Sequence, residues 1–121
     1  MSDEPAQHLE TRVLADHQIV KLNGNCFIDD DHIRETGSKL SQAVATADSK
    51  YFLVNLGNIA VVSSMMIGQL VNVRNKCEEA NLEFQISDLR PAVEESLKIM
   101  NLHELLSVYP TEADALAASE E

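Results

Sequence analysis

Hydrophobic positions along this chain fall into short dense runs that alternate with longer stretches of one-sided, helix-like spacing. Arg12 to Ala15 and Gln18 to Leu22 are β-rich runs, with Asp16-His17 between them as a hairpin turn. Asn23-Gly24-Asn25 is a second turn signal. Cys26-Phe27-Ile28 then leads into Asp29-Asp30-Asp31, which reads as a helix start, because a carboxylate accepts from free amides and suits the positive end of the dipole. From Asp30 the spacing of Ile33, Leu40, Ala43, Val44 and Ala47 puts them on one helical face. Gly37 interrupts that helix and suggests close packing on a sheet. Tyr51-Phe52-Leu53-Val54-Asn55-Leu56 is nearly continuous in apolar residues, as in a strand covered on both faces.

Gly57-Asn58 breaks the run, and Ile59 to Val62 forms a short apolar link. Ser63-Ser64 is a cap signature ahead of a helix whose stripe is Ile67, Leu70, Val71 and Cys77; Glu78, Glu79 and Asn81 close it. Leu82 to Ile86 alternates apolar and polar, which predicts a strand with one solvated face, near a sheet edge. Ser87 and Asp88 precede a helix with Pro91 in its first turn and Val93, Leu97 and Met100 on its inner face, ended by Asn101. Leu102 to Leu106 is an apolar turn, Val108-Tyr109 a short strand, and Thr111 with Asp114 resembles a capping box for a last helix. Strands alternating with helices imply parallel crossovers, so the expected class is α/β with one mixed sheet.

The length, 121 residues, suits one domain. The expected division is a disordered lead-in over residues 1–8, a single domain over 9–118 and a tail over 119–121. Nine Lys and Arg against 20 Asp and Glu give a net charge of -11. That argues against nucleic acid, which is held by neutralising phosphates, and against an anionic membrane; a basic partner protein fits better. The N-terminus has no apolar signal segment, and the longest apolar run is far too short to span a bilayer, so the expected location is cytoplasmic. Cys26 and Cys77 form no CxxC and have no histidine at ligand spacing; they read as buried free thiols.

Catalytic signatures are missing. There is no GxGxxG, no GxxxxGK[ST], no HExxH and no GxSxG, and the four histidines sit in polar or loop contexts. The expectation is a protein without enzymatic activity, cofactor or metal. The unusual stretch is Val61-Val62-Ser63-Ser64-Met65-Met66-Ile67-Gly68. One helix face cannot bury two successive residues equally, so one of Met65 and Met66 is expected beside the serines at the surface. A flexible apolar side chain next to a modifiable hydroxyl suits protein docking.

Phe52 to Ile59 followed by Val62 to Leu70 resembles the core motif of STAS domains, the anti-sigma factor antagonists and their relatives: an apolar strand, then "D-S-S/T-G-L-G-x-L". Leu82 to Ile86 with Ser87, Arg90-Pro91 and Val93 is similar to that family's "L-x-L-x-G-x-x-P-x-V". Leu97 to Leu102 resembles its "L-x-x-x-G-L", and Val108 to Leu116 its "I-Y-x-T-E-x-E-A-L". The resemblance spans about residues 9 to 118. It implies a mixed sheet of four to five strands with about four helices packed mainly on one side. It also implies a role in transcription control, in which an antagonist binds an anti-sigma factor, often a serine kinase, and is released from it by phosphorylation. Other members are modules of larger signalling assemblies. Aligned without a gap on Ile67-Gly68, Ser63 takes the place of the family's aspartate and Ser64 that of its phosphorylated serine; aligned on the serine pair, Ser63 is the target. Either way the aspartate is absent and the turn glycine is lost. The expected partner face comprises Asn25, Asp29, Asp30, Ser63, Ser64, Met65 and Met66.

Overall fold

The computed structural model describes residues 9–14, 16–23, 26–27 and 30–119, with residues 26–27 described by their backbone. In chain order the elements are β1 (Leu9–Leu14), β2 (His17–Leu22), β3 (Cys26–Phe27), α1 (Asp30–Thr46), β4 (Tyr51–Asn55) and β5 (Val61–Val62). They continue with α2 (Ser64–Glu79), β6 (Glu83–Ser87), α3 (Pro91–Ile99), β7 (Val108–Tyr109) and α4 (Glu112–Ser119). Five strands form a mixed sheet in the order β1-β2-β4-β6-β7, and β3 and β5 pair separately. β1 and β2 are an antiparallel hairpin, and β2, β4, β6 and β7 run parallel.

The parallel strands step across the sheet in one direction. Right-handed crossovers then place α1, α2 and α3 on the same face. Their apolar stripes meet the inward residues of the sheet in one core: Ile33, Leu40 and Val44 from α1, Met66, Leu70, Val73 and Cys77 from α2, and Val93 and Leu97 from α3, against Val20, Phe52, Val54, Phe84 and Ile86. The Cys77 thiol is buried there, and burial pushes its pKa up to about 12, as befits an inert packing residue. β4 is the central strand, with Phe52 to Val54 fully buried. Its amides are expected to exchange with solvent among the slowest in the protein; rapid exchange from Phe52 through Val54 in a native-state deuterium experiment would contradict this placement.

Several local expectations need correction. His17 opens β2 instead of turning the hairpin, and it is buried. Gly37 packs on a helix, not on the sheet: the space a Cβ would take is filled by the end of the Gln69 side chain of α2. Val61-Val62 is a strand, because β3 supplies a partner that the sequence pattern does not reveal. Met100 lies outside α3 and is exposed. α4 runs through Ala118 to Ser119. The lead-in over residues 1–8 and the Cys26 side chain lie outside the described residues.

The alternating strand β6 also differs from expectation. Its polar residues Gln85 and Ser87 are buried, because α4 covers the sheet face opposite the other three helices. Ala115 packs there with Ile19, Leu53 and Tyr109. This layer is held by polar contacts at both ends of α4. At its end, the Ser119 hydroxyl accepts from Gln85 at 2.8 Å, lies 3.1 Å from His17 Nε2 and donates to the Ala115 carbonyl; Tyr51 donates to the Ser119 carbonyl. The His17 ring stacks on Tyr51 with centroids 4.6 Å apart. At the start of α4, Thr111 Oγ1 accepts from the Asp114 amide, and Glu112 accepts from Arg12 and Asn55.

These contacts predict a pH dependence. Burial holds the His17 imidazole below its ordinary 6.5, outweighing Gln85 and Asp16, which act the other way. Burial would raise Glu112, but hydrogen bonds from Asn55 and Arg12 and the charges of Arg12 and Lys21 together take it below its ordinary 4.5. In both cases the unfolded chain binds a proton that the folded chain resists. Stability is therefore full above pH 6.5, falls as pH drops from 6.5 towards the folded value of His17, and falls again below 4.5. Urea midpoints measured at pH 8, 6, 5 and 4 should show this decline. His17→Gln should flatten its upper part, and a midpoint that rises on acidification would contradict the assignment.

Candidate partner-binding site at the start of α2

The site begins where β5 hands the chain to α2. Ser63 is extended (φ -91°, ψ 166°), and its hydroxyl accepts from the Met66 amide at 3.2 Å, an N-cap. Its carbonyl accepts from the Ile67 amide and starts the helical ladder. Ser64 is the first helical residue and is exposed. The first turn of α2 contains no acidic residue, and Lys76 stands in the last turn. The positive end of the helix dipole at Ser64 is thus left without a carboxylate of its own helix.

Two pieces of the fold hold this corner in place. β3 and β5 run parallel in the register Cys26 with Val61 and Phe27 with Val62. The next helices in the chain, α1 after β3 and α2 after β5, pack against each other, and exposed Asp30 and Asp31 open α1. The loop after β4 is anchored by Asn55, which is buried: its side-chain oxygen accepts from the Gly57 amide at 2.7 Å, and its amide donates to Asp88 at 3.0 Å and to Glu112 at 2.6 Å. Arg90 donates to the Gly57 carbonyl at 2.9 Å, and Ser87 donates to Asp88. Asn55 is a positioning residue that the sequence pattern hides, because it sits in an apolar run and reads as a strand position. Its clue is the Gly57-Asn58 break two residues later, where a side-chain acceptor is needed to turn the chain.

The expected partner-face residues separate in the structure. Ser63, Ser64 and Met65 lie at the corner, with Met65 half-buried against the core, and Asp30 lies at the neighbouring helix start. Met66 does not belong to this surface. It is 1% exposed and joins the stripe of Leu70, Val73 and Cys77 that faces the sheet. A helix places residues three and four apart on one face, so the residue in phase with Leu70 goes inward and its predecessor stays near the surface. Asn25 and Asp29 lie outside the described residues. Among the described residues no group of three or more His, Cys, Asp or Glu is arranged to hold a metal ion, and no helix is long and apolar enough to cross a membrane.

A mixed five-stranded sheet with three crossover helices on one face, one of them serine-capped, and a returning helix on the other defines an α/β domain of a recurring type. The family model for the STAS domain matches residues 8–115, and the chain belongs to that family. Its fold is similar to an anti-sigma factor antagonist from Mycobacterium paratuberculosis (TM-score 0.81, 18% identity, 93% of each chain covered). It is also similar to the anti-sigma factor antagonist SpoIIAA in its unphosphorylated form (TM-score 0.74, 14% identity, 93% of this chain and 96% of that one). A sulfate transporter family protein from Wolinella succinogenes gives a TM-score of 0.73 at 16% identity, over 90% of this chain and 88% of that one. Comparison with curated protein sequences gives no match.

Proposed function

We propose that this chain is a non-enzymatic, cytoplasmic anti-sigma factor antagonist of a bacterial signalling system. It acts by binding an anti-sigma factor, and phosphorylation of Ser64 ends the complex. The observation that carries the reading is the exposure of Ser64 on the first turn of α2 while Ser63 is occupied as the cap. A hydroxyl already engaged by a backbone amide is a poor target; its free neighbour is a better one. Antagonists among the structural neighbours, one of them known by its unphosphorylated form, support the choice of partner class. The net charge of -11 and the paired acidic residues at the start of α1 favour a partner with a basic rim.

The experiment is capture of partners from the native host on the immobilised chain, with identification by mass spectrometry, followed by incubation with any kinase so recovered. The expected result is one added phosphate, lost in Ser64→Ala and retained in Ser63→Ala. Labelling that survives Ser64→Ala and disappears in Ser63→Ala would move the target by one residue. A second reading is favoured by one feature: Ser63 stands at the position that resembles the family's motif aspartate, and Met66 at that of its glycine. On this reading the chain is an interaction module of a signalling assembly whose phosphoserine switch is lost. Partner capture without labelling of either serine would select it.

A further inference from the structure

Among the described residues no strand pairs with the outer edge of β1, and from Glu10 to Leu14 the strand is exposed. Val13 is 65% exposed and Leu14 46%. A long open edge with apolar residues is a template for another strand, and monomeric proteins blunt such edges with proline, bulges or covering loops. Between Leu9 and Leu14 β1 has neither a proline nor a bulge. The opposite edge of the sheet, β7, is only two residues long.

We infer that β1 pairs with β1 of a second copy of this chain, antiparallel about Thr11, and so joins two five-stranded sheets into one. Three observations favour a second copy over a foreign strand. The first is charge complementarity within β1 itself. With Thr11 opposite Thr11, Glu10 of each copy faces Arg12 of the other, and Leu9 faces Val13. Two opposite-charge pairs and two apolar pairs form at once, each of a kind that stabilises adjacent strands. Sliding the pairing by two residues sets Glu10 against Glu10 or Arg12 against Arg12, which penalises the neighbouring registers.

The second observation is hydrogen-bond polarity. Leu14 and His17 close a hairpin across two residues, so their peptide groups point at each other. Alternation along an antiparallel pair then turns the amides and carbonyls of Leu9, Thr11 and Val13 outward. These are the residues that must meet in the register centred on Thr11, so the charge pattern and the backbone select the same alignment. The third is closure. Antiparallel pairing of one edge with itself is two-fold symmetric and consumes both long edges, leaving only the short β7 edges. Side chains within the monomer do not oppose it: Arg12 and Glu10 lie on the α4 face, where Arg12 bonds Glu112 at 2.6 Å and Glu10 accepts from Asn23 at 2.8 Å. Arg12 remains half-exposed and can serve Glu10 of the second copy as well.

This inference does not rest on the proposed function, and its test needs no partner protein. Sedimentation equilibrium of the full chain should give a concentration-dependent mass approaching twice 13.4 kDa. The expected dissociation constant is about 10 µM to 1 mM, as for an interface below standard size, and it should rise with salt. Thr11→Pro removes the central outward amide but no bond to β2, and should weaken association at least about tenfold. Glu10→Lys, which faces Arg12 with a like charge, should do the same and keeps the experiment decisive if the proline variant misfolds. In a mixture of isotope-labelled and unlabelled chains, an intermolecular Hα contact between Glu10 and Arg12 should appear, since that pair is the close one in this register. A mass of 13.4 kDa up to about 1 mM chain would overturn the inference, as would a dimer that both variants leave intact or that lacks the Glu10–Arg12 contact.

Discussion

Met66→Ala should cost the fold about 2–5 kcal/mol, which is a large share of the stability of a domain of this size. The side chain is 1% exposed and packs in the core that α1, α2 and α3 share with the sheet. Truncating it removes apolar contacts and leaves a cavity in a layer that closes up only in part, because α2 is capped at its start by Ser63 and packed along its length on α1 and β6. The slightly better helix propensity of alanine recovers only tenths of a kcal/mol. The midpoint of thermal unfolding should fall by about 10 °C or more. Met65→Ala is the control: one residue earlier on the same turn and half-buried, it should cost under about 1 kcal/mol. Urea unfolding of both variants, with slopes equal to that of the parent chain, tests the pair. Equal small losses would mean that Met66 is not the anchoring residue of the α2 core stripe.

The methionine pair marks how far sequence pattern reaches. Periodicity is sufficient to expect one of Met65 and Met66 nearer the surface, because adjacent residues on a helix point about 100° apart. Deciding which one needs the phase of the whole helix, and that phase is set by Val73, which packs inward while Val71 lies at the margin. The same distinction explains the strands. β4 is legible because its run is apolar on both faces, as a strand beneath two layers must be. β6 alternates, and alternation signals a wet face only where nothing covers it. Here α4, a short helix, covers Gln85 and Ser87, and its Ser119, more than thirty residues away in the chain, accepts from the Gln85 side-chain nitrogen. The β3–β5 pair was illegible for the same reason: two residues carry no period, and their pairing exists only once the crossovers have brought Phe27 beside Val62. The helix start at Ser63-Ser64 was legible because capping is local.

Phosphorylation of Ser64 should leave the fold intact and reduce partner affinity by about 30- to 1,000-fold, or about 2–4 kcal/mol. The first half follows from the site. Ser64 is exposed, its hydroxyl is not the cap, and the α2 first turn has no carboxylate to repel a dianion. A phosphate there meets the positive end of the dipole and is tolerated or mildly stabilising, by about 0.3–1 kcal/mol. The second half follows from what lies around it. Met65 would sit within the contact, so the phosphate would have to be desolvated on binding. Ser64→Asp, with about half the charge, should reproduce part of the loss. Ser63→Ala behaves differently: it removes the cap, costs about 1 kcal/mol of stability and leaves affinity nearly unchanged. Met65→Ala should raise the off-rate, and Asp30→Asn should lower the on-rate, less so at high salt. Surface plasmon resonance against the captured partner separates these effects, with unfolding curves for each variant alongside. Equal affinity for the parent chain, Ser64→Asp and Met65→Ala would remove the start of α2 from the interface and would sink the phosphoserine mechanism, even with the STAS fold intact.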